Sequence, residues 1–172
     1  MNIVLIGMMG SGKSSVGRLV AEKLKWKFID VDRRIEEEQN DTIARLFEMR
    51  GESAFREIEK NAVARFSAED GAVIATGGGA PCFEENWNAL SRNGTIGWLK
   101  ASPETLAQRL KKSGARSRPL LKGTLTVERL SRLCSERRIF YQKADLTIDV
   151  DGLDREEIAE KITRLALSEK KP

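Results

Sequence analysis

Residues 7–14, with the sequence GMMGSGKS, are the feature that most limits how this chain can fold. They match the pattern GxxxxGK[ST], which cradles nucleotide phosphates when it lies between a buried strand and a helix. The apolar run 3–6 stands directly before the motif, and Val16, Leu19 and Val20 follow it at helical spacing. A glycine turn that only caps a helix is the alternative, which the complete match in this context disfavours. The chain is therefore predicted to begin with a strand, a phosphate-binding loop and a helix.

The residue types of this loop suit the chemistry of a nucleotide. Its glycines let backbone N–H groups curl around the β-phosphate, and the helix start adds a positive end. Lys13 would reach the β- and γ-phosphates, and the Ser14 hydroxyl would bind Mg²⁺. The loop alone does not identify the reaction, because GTPases, motors and small-molecule kinases all use it. The residues expected on the phosphate side of an ATP site are Gly10, Ser11, Gly12, Lys13, Ser14 and Ser15.

Apolar runs alternate with helical periodicity along the whole chain, which predicts an α/β fold with a parallel sheet covered on both faces. Candidate strands are residues 3–6, 27–30, 72–75, 95–99 and 146–150. We predict a P-loop NTPase-type α/β/α arrangement with a five-stranded parallel sheet, as one domain over residues 1–172. Two segments interrupt the alternation. Residues 31–66 are expected to form an inserted helical region that binds substrate, and residues 111–123 a flexible lid loop.

Composition excludes several classes of function. The net charge is only +4, and acidic residues are interspersed with basic ones, so small anionic ligands explain the basic pI near 9.2 as well as nucleic acid does. The chain has no histidine, and Cys82 and Cys134 form no CxxC pair, which disfavours zinc-thiolate sites and histidine-dependent hydrolysis. The amino end lacks a basic leader followed by a long apolar stretch. We therefore expect a cytoplasmic protein that does not bind a membrane.

Two aspartates near the end of the second predicted strand are candidates for the acidic part of the site. The third strand ends in Thr76 and Gly77 instead of the aspartate that usually holds the metal in such folds, so the acid must come from elsewhere. Asp30 and Asp32 stand at alternate positions, which predicts that both point to one side at the carboxyl ends of the strands. The structural alternatives are a turn-forming role for Asp30 and, for Asp32, the N-cap of a helix starting at Arg33.

Five motifs in order give the chain a resemblance to the shikimate kinase family over residues 3–141. They are the aspartate pair, Phe55-Arg56 with Glu59, Thr76-Gly77-Gly78-Gly79, Arg118-Pro119-Leu120-Leu121, and Arg137 four residues before Tyr141, and they accompany the phosphate loop. The resemblance implies transfer of the γ-phosphoryl group of ATP to the 3-hydroxyl of shikimate, with Mg²⁺ as cofactor. The products would be ADP and shikimate 3-phosphate, in aromatic amino-acid biosynthesis.

The resemblance also implies a role for each matching residue on the substrate side. Asp32 would contact the substrate hydroxyls and act as the base, and Asp30 would hold Mg²⁺ through water together with Ser14. Arg56 and Arg137 would bind the substrate carboxylate, for which a guanidinium fork is well suited. A surface ion pair with Glu59 is the alternative for Arg56. Gly77, Gly78 and Gly79 would contact the substrate and the γ-phosphate. A plain glycine turn without a ligand is the alternative.

On the nucleotide side, the resemblance implies that Arg118 swings from the lid onto the transferring phosphoryl group and that Arg109 stacks on adenine. The implied catalytic residues are Asp32, Lys13 and Arg118. The spacing gives Arg137 separate support, because Val127, Leu130, Cys134, Arg137 and Tyr141 share one otherwise apolar helix face.

Two other functions stay open from the sequence. A related kinase acting on another polyol acid, such as gluconate, would share the loop and fold and differ in the carboxylate-binding residues and aspartates. A nucleotide-dependent module that binds nucleic acid is less favoured, because clustered aromatic residues for base stacking are missing. We expect a monomer, since no segment of the sequence calls for a partner.

Overall fold

The computed structural model describes residues 1–112 and 126–168. Its centre is a sheet of five parallel strands in the order β2-β3-β1-β4-β5. The strands are β1 (Asn2–Ile6), β2 (Lys27–Asp30), β3 (Ala72–Ala75), β4 (Gly94–Lys100) and β5 (Leu146–Asp149). All five coincide with the predicted strands to within one residue at each end. The predicted α/β fold with a five-stranded parallel sheet is therefore confirmed.

Helices cover both faces of this sheet. They are α1 (Lys13–Leu24), α2 (Val31–Gln39), α3 (Ile43–Ser67), α4 (Glu84–Arg92), α5 (Pro103–Lys112), α6 (Val127–Tyr141) and α7 (Arg155–Ser168). Side chains alternate along β1, so Ile3 and Leu5 pack with α1 and α7, while Val4 and Ile6 belong to the cluster on the other face. Each face thus has its own hydrophobic core, which requires the continuous apolar runs seen in the sequence.

The order of the strands determines where a ligand can bind. β1 lies between β3 and β4, and the helix that follows β1 (α1) packs on one face of the sheet while the helix that follows β3 (α4) packs on the other. In open parallel sheets, ligands bind beyond the carboxyl ends of the strands at such a switch point. Residues 7–12, which connect β1 to α1, occupy this position.

The segment after β2 is helical from residue 31, directly at the end of the strand. α2 starts at Val31, and Asp30 is its N-cap, with a carboxylate oxygen that accepts a hydrogen bond from the Arg33 N–H at 3.3 Å. Asp32 therefore lies in the first turn of a helix rather than on the strand. The prediction that the two aspartates alternate along one strand was wrong, as was the alternative that Asp32 caps a helix starting at Arg33.

The helix α3 contains a sharp change of direction at Gly51. Its backbone angles there are φ 80° and ψ 169°, which separate two helical parts. This combination is open almost only to glycine. The kink divides the part of α3 that carries Leu46 and Phe47 from the part that carries Arg56 and Glu59.

The predicted lid can be compared with the structure only at its start. Lys111 and Lys112 form the end of α5, so a loop beginning at residue 111 is not what the chain adopts there. The rest of the predicted lid, including Arg118, lies outside the described residues. Among the helices that the structure describes, none is both long enough and apolar enough to cross a bilayer.

Candidate active site

The loop between β1 and α1 is folded around its own lysine. Gly7, Gly10 and Gly12 have φ angles of 140°, 81° and 101°, a region that favours glycine. The Lys13 side chain is 8% exposed, and its ammonium group donates to the carbonyl oxygens of Gly7 and Met8, at 2.9 Å each. The loop thus holds a buried positive charge at the start of α1, where an anion is stabilised.

A cavity of about 600 Å³ opens in front of this loop. Nucleotide-sized ligands occupy clefts of this size. Residues of the phosphate loop line the centre of the cavity. The other lining residues are Asp30, Asp32, Thr76, Gly78, Arg109, Leu110, Leu153, Asp154, Arg155 and Ile158. The structure therefore places Gly10, Gly12, Lys13, Ser14, Ser15 and Arg109 around one cavity, and Ser11 lies buried within the loop itself.

Arg109 is held in place by backbone groups at the far end of the cavity. Its two terminal nitrogens donate to the carbonyl oxygens of Ser11 and Val150, each at 3.2 Å. These bonds connect α5 to the phosphate loop and to the end of β5. A guanidinium plane fixed in this way could present its face to a nucleotide base.

Ser14 and Asp30 bring two oxygen atoms together beside Lys13. The Ser14 hydroxyl donates to the Asp30 carboxylate at 2.6 Å. Both side chains line the cavity, and Asp32 lines it next to them. Magnesium prefers oxygen ligands and keeps several of its waters, so one hydroxyl and one nearby carboxylate fit its requirements. These residues could hold Mg²⁺ at the phosphate end of the cavity.

The three glycines after β3 are closely surrounded by the predicted substrate residues. A Cβ atom on Gly77 would lie 2.6 Å from an oxygen of Asp32, and one on Gly78 would lie 3.0 Å from a terminal nitrogen of Arg137. On Gly79 it would meet both terminal nitrogens of Arg56 at 3.2 Å. These approaches leave little or no room for a side chain. The run of glycines, named here the glycine turn (Gly77, Gly78 and Gly79), therefore brings Asp32, Arg56 and Arg137 into one cluster.

Arg56 is fixed by two carboxylates and by aromatic rings. Its guanidinium group is bonded to Glu59 at 2.8 Å and to Glu52 at 3.1 Å. Burial alone would lower its pKa, but the charge and hydrogen bond of Glu59, aided by Glu52, raise it, so the side chain stays charged. Phe47, Phe55 and Phe83 surround the guanidinium, with ring centroids 5.7, 5.5 and 4.8 Å from its carbon.

Arg56 and Glu59 form the ion pair that the sequence analysis gave as the alternative, but the pair is buried rather than on the surface. Glu59 is 2% exposed, and burial raises the pKa of its carboxyl group although Arg56 opposes this effect. Asp32 also raises this pKa, and Arg137 lowers it, so both lie close enough to act on Glu59. A buried carboxylate in this position would orient Arg56 for another anion.

The helix α6 places Arg137 at the glycine turn. Its apolar face is inward as predicted, with Leu130 and Tyr141 buried and Arg137 half-buried, whereas Arg138 is exposed. The Tyr141 hydroxyl donates to the Gly78 carbonyl at 2.5 Å. The cluster thus joins residues from α2, α3 and α6 around one turn.

Comparison with known proteins identifies the family. The sequence model of the shikimate kinase family matches residues 9–166. The chain belongs to the shikimate kinase family. Its activity is accordingly an ATP-dependent phosphotransfer, as the resemblance of the motifs implied. The residue-by-residue roles given above remain predictions.

Individual members of the shikimate kinase family are closely similar along the chain. The shikimate kinase of Symbiobacterium thermophilum is 50% identical over 144 residues, which are 84% of this chain and 83% of that protein. That of Thermodesulfovibrio yellowstonii is 45% identical over 95% of this chain and 93% of its own. A solved structure of shikimate kinase from Acinetobacter baumannii in complex with shikimate is 35% identical, with a TM-score of 0.93 over 99% of this chain and 95% of that one.

Several residues of the site were not predicted as ligand-contacting. Leu153 and Asp154, from the loop after β5, and Arg155, the first residue of α7, line the same cavity. The rule that ligands bind at the carboxyl ends of parallel strands could have found this loop. Glu52 and Glu59 were visible as helix neighbours of Arg56, but the burial of Glu59 follows from tertiary packing, which spacing does not show.

Proposed function

We propose that this chain transfers the γ-phosphoryl group of ATP to the 3-hydroxyl of shikimate, with the whole chain acting as one kinase domain. The observation that carries the proposal is the cluster of Asp32, Arg56 and Arg137 around the glycine turn, beside the phosphate loop. A carboxylate next to two arginines suits a substrate that carries both hydroxyl groups and a carboxylate. The solved relative in complex with shikimate supports the same substrate.

Binding of the substrate would depend on the two arginines. Arg137 approaches Gly78 and Arg56 approaches the adjacent Gly79, and each guanidinium can donate two parallel hydrogen bonds to a carboxylate. The carboxylate would enter next to the Arg56–Glu59 pair, whose buried acid keeps the guanidinium oriented. This arrangement would direct the hydroxyl groups of the ring toward Asp32.

The phosphoryl transfer itself requires positioning and charge compensation. Asp32 would accept the proton of the attacking hydroxyl and aim its oxygen at the γ-phosphorus, although a loose transition state needs alignment more than a strong base. Lys13 would move from the Gly7 and Met8 carbonyls to the phosphates. When bound by Ser14 and Asp30, Mg²⁺ would neutralise charge on the β- and γ-phosphates.

Other parts of the proposal come from the sequence. Arg118 is proposed to clamp the transferring phosphoryl group, and Arg109 to stack on adenine from its position at the end of the cavity. The proposal of a monomer follows the sequence, in which no segment calls for a partner. We place the enzyme in the cytoplasm, where ATP is available. A light-scattering mass near 19.2 kDa would support the monomer.

The test is ADP release from ATP and Mg²⁺ with shikimate, with gluconate and with no acceptor. We expect turnover only with shikimate. Asp32→Asn keeps the shape of the side chain and removes its charge, so we expect kcat to fall about 100-fold, within the usual contribution of a general base.

Asp70→Asn is the matched control, because Asp70 is an exposed carboxylate in the loop before β3, at the opposite end of the strands. It should leave kcat unchanged. Turnover with gluconate but not shikimate would replace the substrate in the proposal, and full activity of Asp32→Asn would remove Asp32 from the mechanism. Strongly salt-dependent binding of RNA or DNA without turnover would favour the nucleic-acid module.

A further inference from the structure

Tyr141 is the only tyrosine of the chain, and its hydroxyl group lies inside the candidate site. The side chain is 1% exposed, and the O–H donates to the Gly78 carbonyl at 2.5 Å. A phenol keeps its proton at neutral pH, and burial raises the pKa of Tyr141 further, so the hydroxyl remains a donor. A buried hydroxyl with one short bond to the glycine turn has a specific structural effect.

This bond joins the two elements that carry the arginines. Tyr141 follows Arg137 by about one turn of α6, so both side chains lie on the same helix face. Arg137 approaches Gly78, while Arg56 from α3 approaches Gly79. Two guanidinium groups from separate helices thus approach neighbouring glycines of the glycine turn, and Tyr141 attaches α6 to that turn.

Arg137 acts on the Tyr141 hydroxyl by charge and hydrogen bonding, which lowers the pKa of the phenol against the effect of burial, and the remaining contacts of Tyr141 are less directional. The Met8 sulfur lies 3.7 Å from the Tyr141 hydroxyl and 3.7 Å from a terminal nitrogen of Arg137, and a thioether is a weak acceptor. The Trp98 ring packs against the phenol at a centroid distance of 5.7 Å. The bond to Gly78 is therefore the contact that orients backbone. In a trans peptide, fixing the Gly78 carbonyl also fixes the opposite direction of the Gly79 N–H.

We propose that Tyr141 is a positioning residue for the acceptor substrate, whose hydroxyl holds α6 at the distance from the glycine turn at which Arg137 and Arg56 bind one carboxylate together. The inference rests on the proposed function and extends it. Tyr141 touches neither the reacting hydroxyl nor the phosphates; it acts through Gly78 and Arg137. Its loss therefore weakens binding of the acceptor and leaves ATP binding and phosphoryl transfer largely unchanged.

The first test is Tyr141→Phe, which removes one oxygen atom and keeps the ring. We expect the KM for shikimate to rise about three- to tenfold, the effect of losing one neutral hydrogen bond. The KM for ATP and kcat should stay within about twofold of wild type, as expected when only acceptor binding is affected. Trp98→Phe is the control, because it alters packing on the phenol but keeps the bond to Gly78; its KM for shikimate should stay near wild type.

A second variant exploits the single tyrosine. Protein grown with 3-fluorotyrosine keeps the hydroxyl and is changed only at Tyr141. It should retain the wild-type KM for shikimate, and its one fluorine NMR signal should shift when shikimate is added. Such retention would show that the O–H group, rather than the volume of the ring, sets the KM.

The proposal is overturned by an unchanged KM for shikimate in Tyr141→Phe, or by equal rises in the KM values of both substrates, which would indicate general distortion. A fluorine signal that does not respond to shikimate would also count against it. Wild-type protein without shikimate-dependent turnover would overturn the proposed function itself. An active wild type with an unaffected Tyr141→Phe variant would overturn only the role of Tyr141.

Discussion

At the scale of single residues, the two carboxylates of Arg56 have different environments. Glu59 is 2% exposed and bonds one terminal nitrogen, whereas Glu52 is 62% exposed and bonds the other. A buried partner cannot easily leave, because an uncompensated charge would remain inside the protein. An exposed partner is weakly held and competes with water. Glu59 is thus suited to orient Arg56, and Glu52 occupies donors that an incoming substrate carboxylate could take over.

This difference predicts opposite effects for the same substitution. In Glu59→Gln, Arg56 loses its fixed charge partner, so we expect the KM for shikimate to rise about tenfold, and the free energy of unfolding to fall by about 1–3 kcal/mol. In Glu52→Gln, a competing anion is removed, so the KM for shikimate should stay equal or decrease. Steady-state kinetics and urea unfolding of both variants measure these effects. A higher KM in Glu52→Gln than in Glu59→Gln would contradict the assignment.

Residue types and motif order predicted most of the cluster, but not its local geometry. Asp32, Arg56 and Arg137 were predicted as substrate residues, and the structure places all three at the glycine turn. The alternation expected for Asp30 and Asp32 failed because Asp30 caps α2, so the period of a strand no longer applies after it. Such a change of period at a strand end depends on capping bonds that a hydrophobic pattern does not contain.

At the scale of elements, the strands were easier to predict than the long helix. The inner strands β1 and β3 are short runs buried on both faces, which explains their continuous apolar sequence, whereas the edge strands β2 and β5 include exposed polar residues and are bounded by turn residues or charges. The kink of α3 was not predicted, because a glycine inside a helical pattern is compatible with a straight helix as well. The φ of 80° at Gly51 shows that α3 is kinked there rather than straight.

The kink predicts a specific cost for an added methyl group. A Cβ on Gly51 would meet no atom within 4 Å, so any effect of Gly51→Ala comes from backbone strain alone. We expect a loss of about 1–3 kcal/mol in the free energy of unfolding, as for other residues forced into this region. Gly97→Ala is the control, because Gly97 lies in β4 without a positive φ and its Cβ would make ordinary contacts at 3.6 Å or more.

Urea denaturation of both variants measures the difference. Since the kink sets the direction of the first part of α3 relative to Arg56, Gly51→Ala should also raise the KM for shikimate. Equal stability of the Gly51 and Gly97 variants would mean that the helix can straighten without strain at this position.

At the scale of the whole molecule, the phosphate loop is linked to the hydrophobic cores on both faces of the sheet. It connects β1, the central strand, to α1, which packs against α7 on one face, while Met8 and Met9 of the loop belong to the cluster on the other. The Lys13 ammonium group donates to the loop carbonyls of Gly7 and Met8. A nucleotide that binds the loop therefore acts on the folded state as a whole, since the unfolded chain has no such site.

Because the loop is linked to both cores, we predict that nucleotide binding raises the Tm of the whole chain substantially. At a concentration of ADP and Mg²⁺ about 100 times the Kd, binding adds about 2.7 kcal/mol, which corresponds to roughly 5–10 °C in Tm for a chain of this size. Lys13→Met should lose most of the shift, because the buried charge that meets the phosphates is gone. Lys23→Met removes an exposed charge from the same helix and should keep the shift. Thermal scans with and without ADP decide the matter: an undiminished shift in Lys13→Met would mean that the nucleotide binds away from the phosphate loop.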